Sequence, residues 1–460
     1  MPNQPMMSGA TPTLLNLPEL MGSLSFALDL TEGQPEGHCI RATWIGFHTA
    51  RMHGIDGEAL SDLYYTVLLK DLGCSSNAAR ICELYLSDDI TFKRDFKTID
   101  GSLSSALRFV FAKTGLEAGL AERIRAIVHI LQNGGEIARG LIETRCHRGA
   151  DIAAKMRFSP AVQDGIRSLD EHFDGGGKPV GLEGAAVPVN SNIALLAQVA
   201  DVFHLEHGRE AAIAEIRKRA GSWFDPDLVD AFMRAQALPG FWESLADADL
   251  GPRVFALQPS SRAHVVDDGY LDDIASAFSD IVDAKSPFTA DHSNRVTLYT
   301  DMIAEELGFD PARRRWLRRA ALLHDIGKLA VSTRILDKPG KLDDAEWAAI
   351  RSHPKLSRDI LARVTAFADI APIAGAHHER LDGRGYPDGL AGDEIPLEAR
   401  ILTVADVFDA LSAERPYRAA MPIGAALAII DKDIGAAFDP ICVDALKRAL
   451  ARLDADSQAA

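Results

Sequence analysis

A chain of 460 residues with 47% hydrophobic content is long enough for two or three domains, each able to bury a core. Its formal charge of −17 argues against a nucleic-acid polymer or an anionic membrane as partner. The same balance leaves room for a small anionic substrate, because bound cations can reverse the field inside one cleft.

In chain order, the N-terminus lacks a basic segment followed by an apolar core, and no apolar run approaches the ~20 residues needed to span a bilayer. Cys39, Cys74, Cys82, Cys146 and Cys442 form no CxxC pair, so reduced thiols and a cytoplasmic location are expected. Apolar residues at helical intervals from Leu120 to Ile142 predict a helix within an insertion near residues 75–145. That insertion could support the core or offer a regulatory or homodimer surface. Pro252, Pro259, Ser260 and Ser261 mark 251–266 as a linker between residues 1–250 and 267–460. Beyond it, 3.6-residue spacing predicts helices at Tyr270–Val282, Val296–Leu307, Arg313–Leu323 and Ala345–Val364. Strand-like alternation is scarce, and Gly and Pro gather in loops such as Lys338–Lys341 and Asp382–Pro387. The chain therefore reads as all-α. The arginine run Arg313, Arg314, Arg315, Arg318 and Arg319 reads as a solvated helix face rather than a phosphate patch.

Two segments carry chemistry. Leu322-Leu323-His324-Asp325-Ile326-Gly327-Lys328 is an apolar helix ending in His-Asp, and His377-His378 precede the glycine-broken loop Asp382-Gly383-Arg384-Gly385-Tyr386-Pro387. Imidazole and carboxylate repeated along one chain suit a first-row divalent metal. Asp325 can bridge two ions, since a carboxylate has two oxygens where an imidazole offers one free nitrogen. Residues 68–73 (Leu-Leu-Lys-Asp-Leu-Gly) repeat 322–327, and His38 precedes Lys70 by the same 32 residues that separate His292 from His324. Asp170–Pro179 lines up with His378–Pro387, Val199–Phe203 with Val404–Phe408, and Phe224-Asp225-Pro226 with Phe438-Asp439-Pro440. The expectation is a tandem repeat of one domain. In its first copy Lys70 replaces His324, Cys74 replaces Lys328, and Leu169-Asp170 replace His377-His378. His38, Asp71, His147 and Asp201 are read as what remains there of the ligand pattern.

The His-Asp and His-His-loop signatures resemble those of the HD-GYP family, metal-dependent phosphodiesterases that hydrolyse cyclic dinucleotides. The resemblance implies two all-helical HD-type domains, the first degenerate and the second catalytic. It implies metal ligands at His292, His324, Asp325, His353, His377, His378 and Asp406. Family members with three metals carry a glutamate where this chain has Phe288, which favours two divalent ions, iron or manganese ahead of zinc. Asp325 and Lys328 would be catalytic, with Lys328, Arg384, Gly385, Tyr386 and Arg415 against the substrate. The expected activity is opening of a 3′,5′-cyclic dinucleotide, cyclic di-GMP first and 3′,3′-cyclic GMP-AMP as the alternative. A catalytically idle receptor or scaffold is the reading from another class.

Overall fold

The computed structural model describes residues 16–99, 103–259, 266–414 and 419–459. Among them the regular structure is helical, and β pairing is limited to four isolated bridges. No described helix is long and apolar enough to cross a membrane.

The first half runs through helices Leu17–Thr31, His38–His53 and Gly57–Leu68 to a short turn at Cys74–Asn77. The segment expected to be an insertion is helical, with Ala78–Tyr85, Asp89–Phe96, Leu103–Lys113 and the start of Leu120–Lys155. Its apolar residues Ile81, Tyr85, Phe92, Ile130 and Ile137 form a small core of their own. The predicted helix from Leu120 extends to Lys155, a stretch with no proline to interrupt it. Pro160–Arg167, Val189–His207, Arg209–Lys218 and Pro226–Ala235 complete this half.

The expected linker differs from expectation at its start. Leu250–Ala256 is helical, and its Leu250 and Val254 are buried against the first half. Pro252 is accommodated because a proline in the first turn of a helix leaves no hydrogen bond unmade. Of this segment, 260–265 lies outside the described residues.

In the second half, Asp268–Asp283 buries Leu271, Ile274, Ala275, Phe278, Ile281 and Val282 along one stripe. His292–Glu306 and Pro311–Leu323 follow. The latter starts at an N-cap, where Asp310 accepts from the N–H groups of Ala312 and Arg313 at 2.9 Å each. The single helix expected over Ala345–Val364 is two, Asp344–Arg351 and His353–Ala362. The break falls at Ser352, two residues before Pro354, whose ring disfavours continuous helix through the preceding residues. Ala371–Gly375, Leu397–Ser412, Ile423–Ile430 and Pro440–Ala459 close the chain.

The halves share one core, which runs from Leu17 to Leu446. Helix Leu17–Thr31 packs against the turn at Ile326–Ala330 and against His353–Ala362 of the second half. Helix Asp268–Asp283 packs in turn against Leu120–Lys155 and Cys74–Asn77 of the first. This reciprocal packing brings an N-terminal helix directly beneath the His-Asp segment.

Candidate metal centre

Helix Pro311–Leu323 ends one residue before His324, so His324 and Asp325 stand past its C-terminus rather than on it. The chain tightens there into a 3-10 turn, Ile326–Ala330. Gly327 makes this possible: a Cβ at that position would lie 2.1 Å from the carbonyl oxygen of His353. The missing side chain lets the His-Asp turn sit directly on the start of helix His353–Ala362. Likewise His377 and His378 follow the short helix Ala371–Gly375.

Each ring is aimed by its outer nitrogen. Nδ1 of His324 pairs with the Ala321 carbonyl at 2.7 Å, Nδ1 of His353 with Ile350 at 2.7 Å and Nδ1 of His377 with Ala374 at 2.6 Å. A carbonyl can only accept, so these Nδ1 atoms carry the proton and Nε2 is left as a lone pair. Nδ1 of His292 lies 2.7 Å from Oδ2 of Asp409, which also accepts from Arg295. These outer bonds fix ring tautomer and direction, as second partners do around bound metals.

The inner atoms converge on Asp325. Its Oδ2 lies 3.4 Å from Nε2 of His292 and 3.3 Å from Nε2 of His324. Its Oδ1 faces the other side, 3.2 Å from Nε2 of His353 and 3.8 Å from Nε2 of His377. Oδ1 of Asp406 joins the first group, 3.4 Å from Nε2 of His292. Two ligand sets result, His292 with His324 and Asp406, and His353 with His377 and His378; within each set the donor atoms lie within 4.8 Å of one another. Nε2 of His292, Nε2 of His324 and Oδ1 of Asp325 have no hydrogen-bond partner despite burial. Buried polar atoms without partners are costly, and a divalent cation on each side of Asp325 would satisfy them.

The electrostatics point the same way. Burial and the neighbouring imidazoles push His377 well below its ordinary value, and burial with His353 lowers His378 to about 3. Neutral imidazole is the ligand form. Burial opposes a charge on His292, yet bonds to Asp325 and Asp409 raise it to about 9, so this carboxylate-rich side attracts positive charge. Burial would raise Asp325, but His324 and Lys328 beside it hold its carboxyl well below the usual range.

The cluster meets solvent along Lys328, His378 and Asp406; the Lys328 side chain is 19% exposed and that of Asp406 10%. Lys328 Nζ lies 2.5 Å from Oδ2 of Asp325. In the Asp382–Pro387 loop, a Cβ at Gly385 would lie 2.5 Å from the backbone of Glu379 and Arg380. The Tyr386 ring packs on His378 with centroids 4.9 Å apart, and Arg384 is exposed. Arg415 lies outside the described residues. Sequence reasoning gave no role to Glu379, whose carboxylate gathers the N–H groups of Asp388, Gly389 and Leu390 at 2.7, 3.1 and 3.0 Å. The five arginines of Arg313–Arg319 are all ion-paired with carboxylates, as befits a solvated face.

A model of the HD domain family matches residues 122–228 and 276–441. The chain is 56% identical over 434 residues, 94% of each chain, to the 3′3′-cGAMP-specific phosphodiesterase 3 of Vibrio cholerae. The chain belongs to the HD domain family. Over 162 residues, 35% of this chain and 43% of the relative, it is 47% identical to the cyclic di-GMP phosphodiesterase response regulator RpfG of Xanthomonas campestris pv. campestris. The crystal structure of a cyclic GMP-AMP-specific phosphodiesterase of V. cholerae, V-cGAP3, aligns with a TM-score of 0.65 at 50% identity, covering 94% of this chain and 97% of that one. Phosphohydrolases of the HD domain family depend on metal.

Residues 122–228 also match the HD model, so features of the first half can be set beside those of the second. Glu171 gathers the N–H groups of Val180, Gly181 and Leu182 as Glu379 gathers its three. Bridge Asp174↔Glu183 corresponds to Asp382↔Ala391. Two expected ligand correspondences need correction. Asp201 holds Nδ1 of His38 at 2.7 Å and Nε of Arg41 at 2.7 Å, which is the part Asp409 plays for His292 and Arg295. The position equivalent to Asp406, three residues earlier, is therefore Gln198. A Cβ at Gly73 would meet the carbonyl oxygen of Arg145, as one at Gly327 would meet that of His353. Arg145, not His147, stands in the place of His353, and His147 is exposed. Of the ligand pattern only His38 and Asp71 remain. Lys70 is ion-paired with Asp71, Lys97 lies 2.9 Å from Glu32, and Arg145 is ion-paired with Asp170.

Proposed function

We propose that the protein is a phosphodiesterase that opens a 3′,5′-cyclic dinucleotide at a two-ion centre in residues 267–460. The observation that carries this reading is the placing of Asp325, one oxygen toward His292 and His324 and the other toward His353 and His377. His292, His324 and Asp406 would hold one ion, His353, His377 and His378 the other, with Asp325 between them. Nitrogen and oxygen donors in this mixture suit iron or manganese, and zinc is compatible. Two such ions would supply Lewis acidity to the phosphoryl oxygens and lower the pKa of an attacking water.

The chain's own groups supply the rest. The backbone carbonyls and Asp409 keep the four rings in one tautomer, so no reorganisation is needed at the moment of reaction. Lys328, beside Asp325 on the solvent side, can turn its ammonium to a substrate phosphoryl oxygen and offset the charge that develops there. Arg384, Gly385 and Tyr386 line the approach, with Arg415 as a further phosphate contact.

The relative that matches along almost the whole chain is named for 3′3′-cGAMP, which supports 3′,3′-cyclic GMP-AMP as the substrate. Cyclic di-GMP is the second reading, supported by RpfG, whose likeness covers about a third of the chain. We also propose that residues 1–250 are a degenerate copy of the domain that kept its fold and holds no metal. Incubating the purified, metal-loaded protein with each cyclic dinucleotide and separating the products tests the reading. Failure to open either ring would sink it.

A further inference from the structure

Helix Asp344–Arg351 buries none of its residues, yet it is firmly held. Asp343 and Glu346 form a capping box, and Lys338 reaches Glu346 at 2.6 Å. At its other end the carbonyl of Ile350 orients His353. Trp347 is 44% exposed on this helix, more than a large apolar ring needs to be. The Arg351 guanidinium stands 5.5 Å from the Trp347 ring centre and 5.6 Å from that of Tyr386. Tyr386 in turn lies on His378 at 4.9 Å with 35° between the planes. A run of flat groups thus leads from solvent to the candidate metal centre.

Charge singles out the same residue. Among the described arginines of 266–459, only Arg351 and Arg384 have no carboxylate partner; Arg384 lies in the Asp382–Pro387 loop and Arg351 stands against its Tyr386. In a chain with 66 acidic residues and 49 lysines and arginines, an unpaired guanidinium beside an exposed indole is a surface suited to an anionic aromatic ligand.

We propose that Trp347 and Arg351 bind the part of the cyclic dinucleotide that lies outside the metal centre, Trp347 stacking on a purine and Arg351 contacting the phosphate not being cleaved. The inference rests on the cyclic-dinucleotide reading above. Indole stacking is tolerant of base identity, so this surface serves affinity, and discrimination between adenine and guanine lies elsewhere.

The test uses the full, metal-loaded chain and two substrates, a cyclic dinucleotide and the purine-free diester bis(p-nitrophenyl) phosphate. Trp347→Ala and Arg351→Ala should each raise KM for the cyclic dinucleotide about 5- to 100-fold, with a far smaller change in kcat. The ratio of kcat/KM for the cyclic dinucleotide to that for the purine-free diester should fall by the same factor. Trp347→Phe, which keeps a stacking face, should recover most of the loss. An unchanged KM in both alanine variants, or equal losses on the two substrates, would overturn the inference while leaving the functional reading intact. Wild-type protein that cleaves only the purine-free diester would overturn both.

Discussion

Asp409 offers the sharpest test of how this centre is held. Its side chain is 1% exposed, accepts from Arg295 at 2.6 Å and stands 2.7 Å from Nδ1 of His292. Asp409→Asn keeps the size and one carbonyl oxygen for the imidazole while removing the negative charge. Arg295, with a side chain 31% exposed, can turn to water, so the variant reports mainly on His292. A hydrogen bond involving a charged group contributes about 1.5–3 kcal/mol and a neutral one about 1 kcal/mol, so the expected loss is about 0.5–2 kcal/mol. Removing an outer partner of a metal ligand costs about 10- to 100-fold in metal affinity or activity, and this loss lies at the low end. Dialysis against a graded series of chelator concentrations, followed by elemental analysis, measures it directly. Asp409→Asn should release the ion of the His292 set at about a tenfold lower chelator concentration, with far-UV circular dichroism unchanged. Metal retention and turnover equal to the wild type would refute the argument that this bond aims the ring.

Four further outcomes are expected. Asp325→Ala should lose most bound metal and all hydrolysis, whereas Lys328→Ala should keep its metal and lose about 100-fold in turnover; loss of metal in the lysine variant would show that Lys328 has no substrate role. Full-length protein should hold about two transition-metal ions per chain, and an isolated half 1–250 none, by elemental analysis. Residues 267–460 alone should unfold at a lower temperature than the full chain at matched metal occupancy, because the core is shared across the halves; equal melting would mean the halves are merely tethered. Lys285 is fully buried, and burial lowers it from its ordinary 10.5 to about 8, with Asp89 opposing the shift. The unfolded chain binds the extra proton between those values, so stability contributed by this site rises as pH goes from 8 to 10.5. Wild type should gain up to about 3 kcal/mol over Lys285→Met across that window in denaturant unfolding, and parallel curves would contradict it.

Four of the candidate ligands were legible because they sit in short motifs whose chemistry is local, His324 beside Asp325 and His377 beside His378, whereas His292, His353 and Asp406 came only with the family resemblance. The outer partners were not legible. Asp409 and Arg295 lie 114 residues apart and meet only when helices Leu397–Ser412 and His292–Glu306 pack. A faint signal existed, since each lies three residues from a ligand on its own helix and His38-x-x-Arg41 repeats His292-x-x-Arg295. The two register errors have different causes: His147 lies two residues from Arg145 and was matched by residue type, whereas Asp201 lies three residues from Gln198 on one helix. A helix brings residues three or four apart to the same face, so a slip of three along a helix still matches apolar positions. Val199–Phe203 therefore aligned with Val404–Phe408 by composition, while the backbone placed Asp201 where Asp409 belongs. The helix break at Ser352 was hidden for a different reason, because apolar spacing continues through it.

On the proposal that the second half holds two ions and the first holds none, charge accounts for how the first could keep its fold. In the second half Asp325 and Asp406 face imidazoles; burial lowers His353, and burial with neighbouring imidazoles lowers His377 and His378, which favours their neutral forms. Lys328 is the one ammonium beside them, so the cavity is left short of positive charge, and three of its buried atoms lack partners. In the first half the same ground holds Lys70 against Asp71, Lys97 against Glu32 and Arg145 against Asp170. Lys70 and Arg145 stand where His324 and His353 stand in the other half, so each substitution removes a ligand and adds a fixed cation in one step. Burial would raise Asp71, but Lys70 and Lys97 hold it well below its ordinary value, as cations hold a ligand carboxylate. A buried carboxylate must be paired, and side chains can do that as well as a metal can. What they cannot supply is an open, exchangeable positive site for a phosphate oxygen, so on the degenerate-copy proposal loss of catalysis and retention of the fold would come from the same replacements.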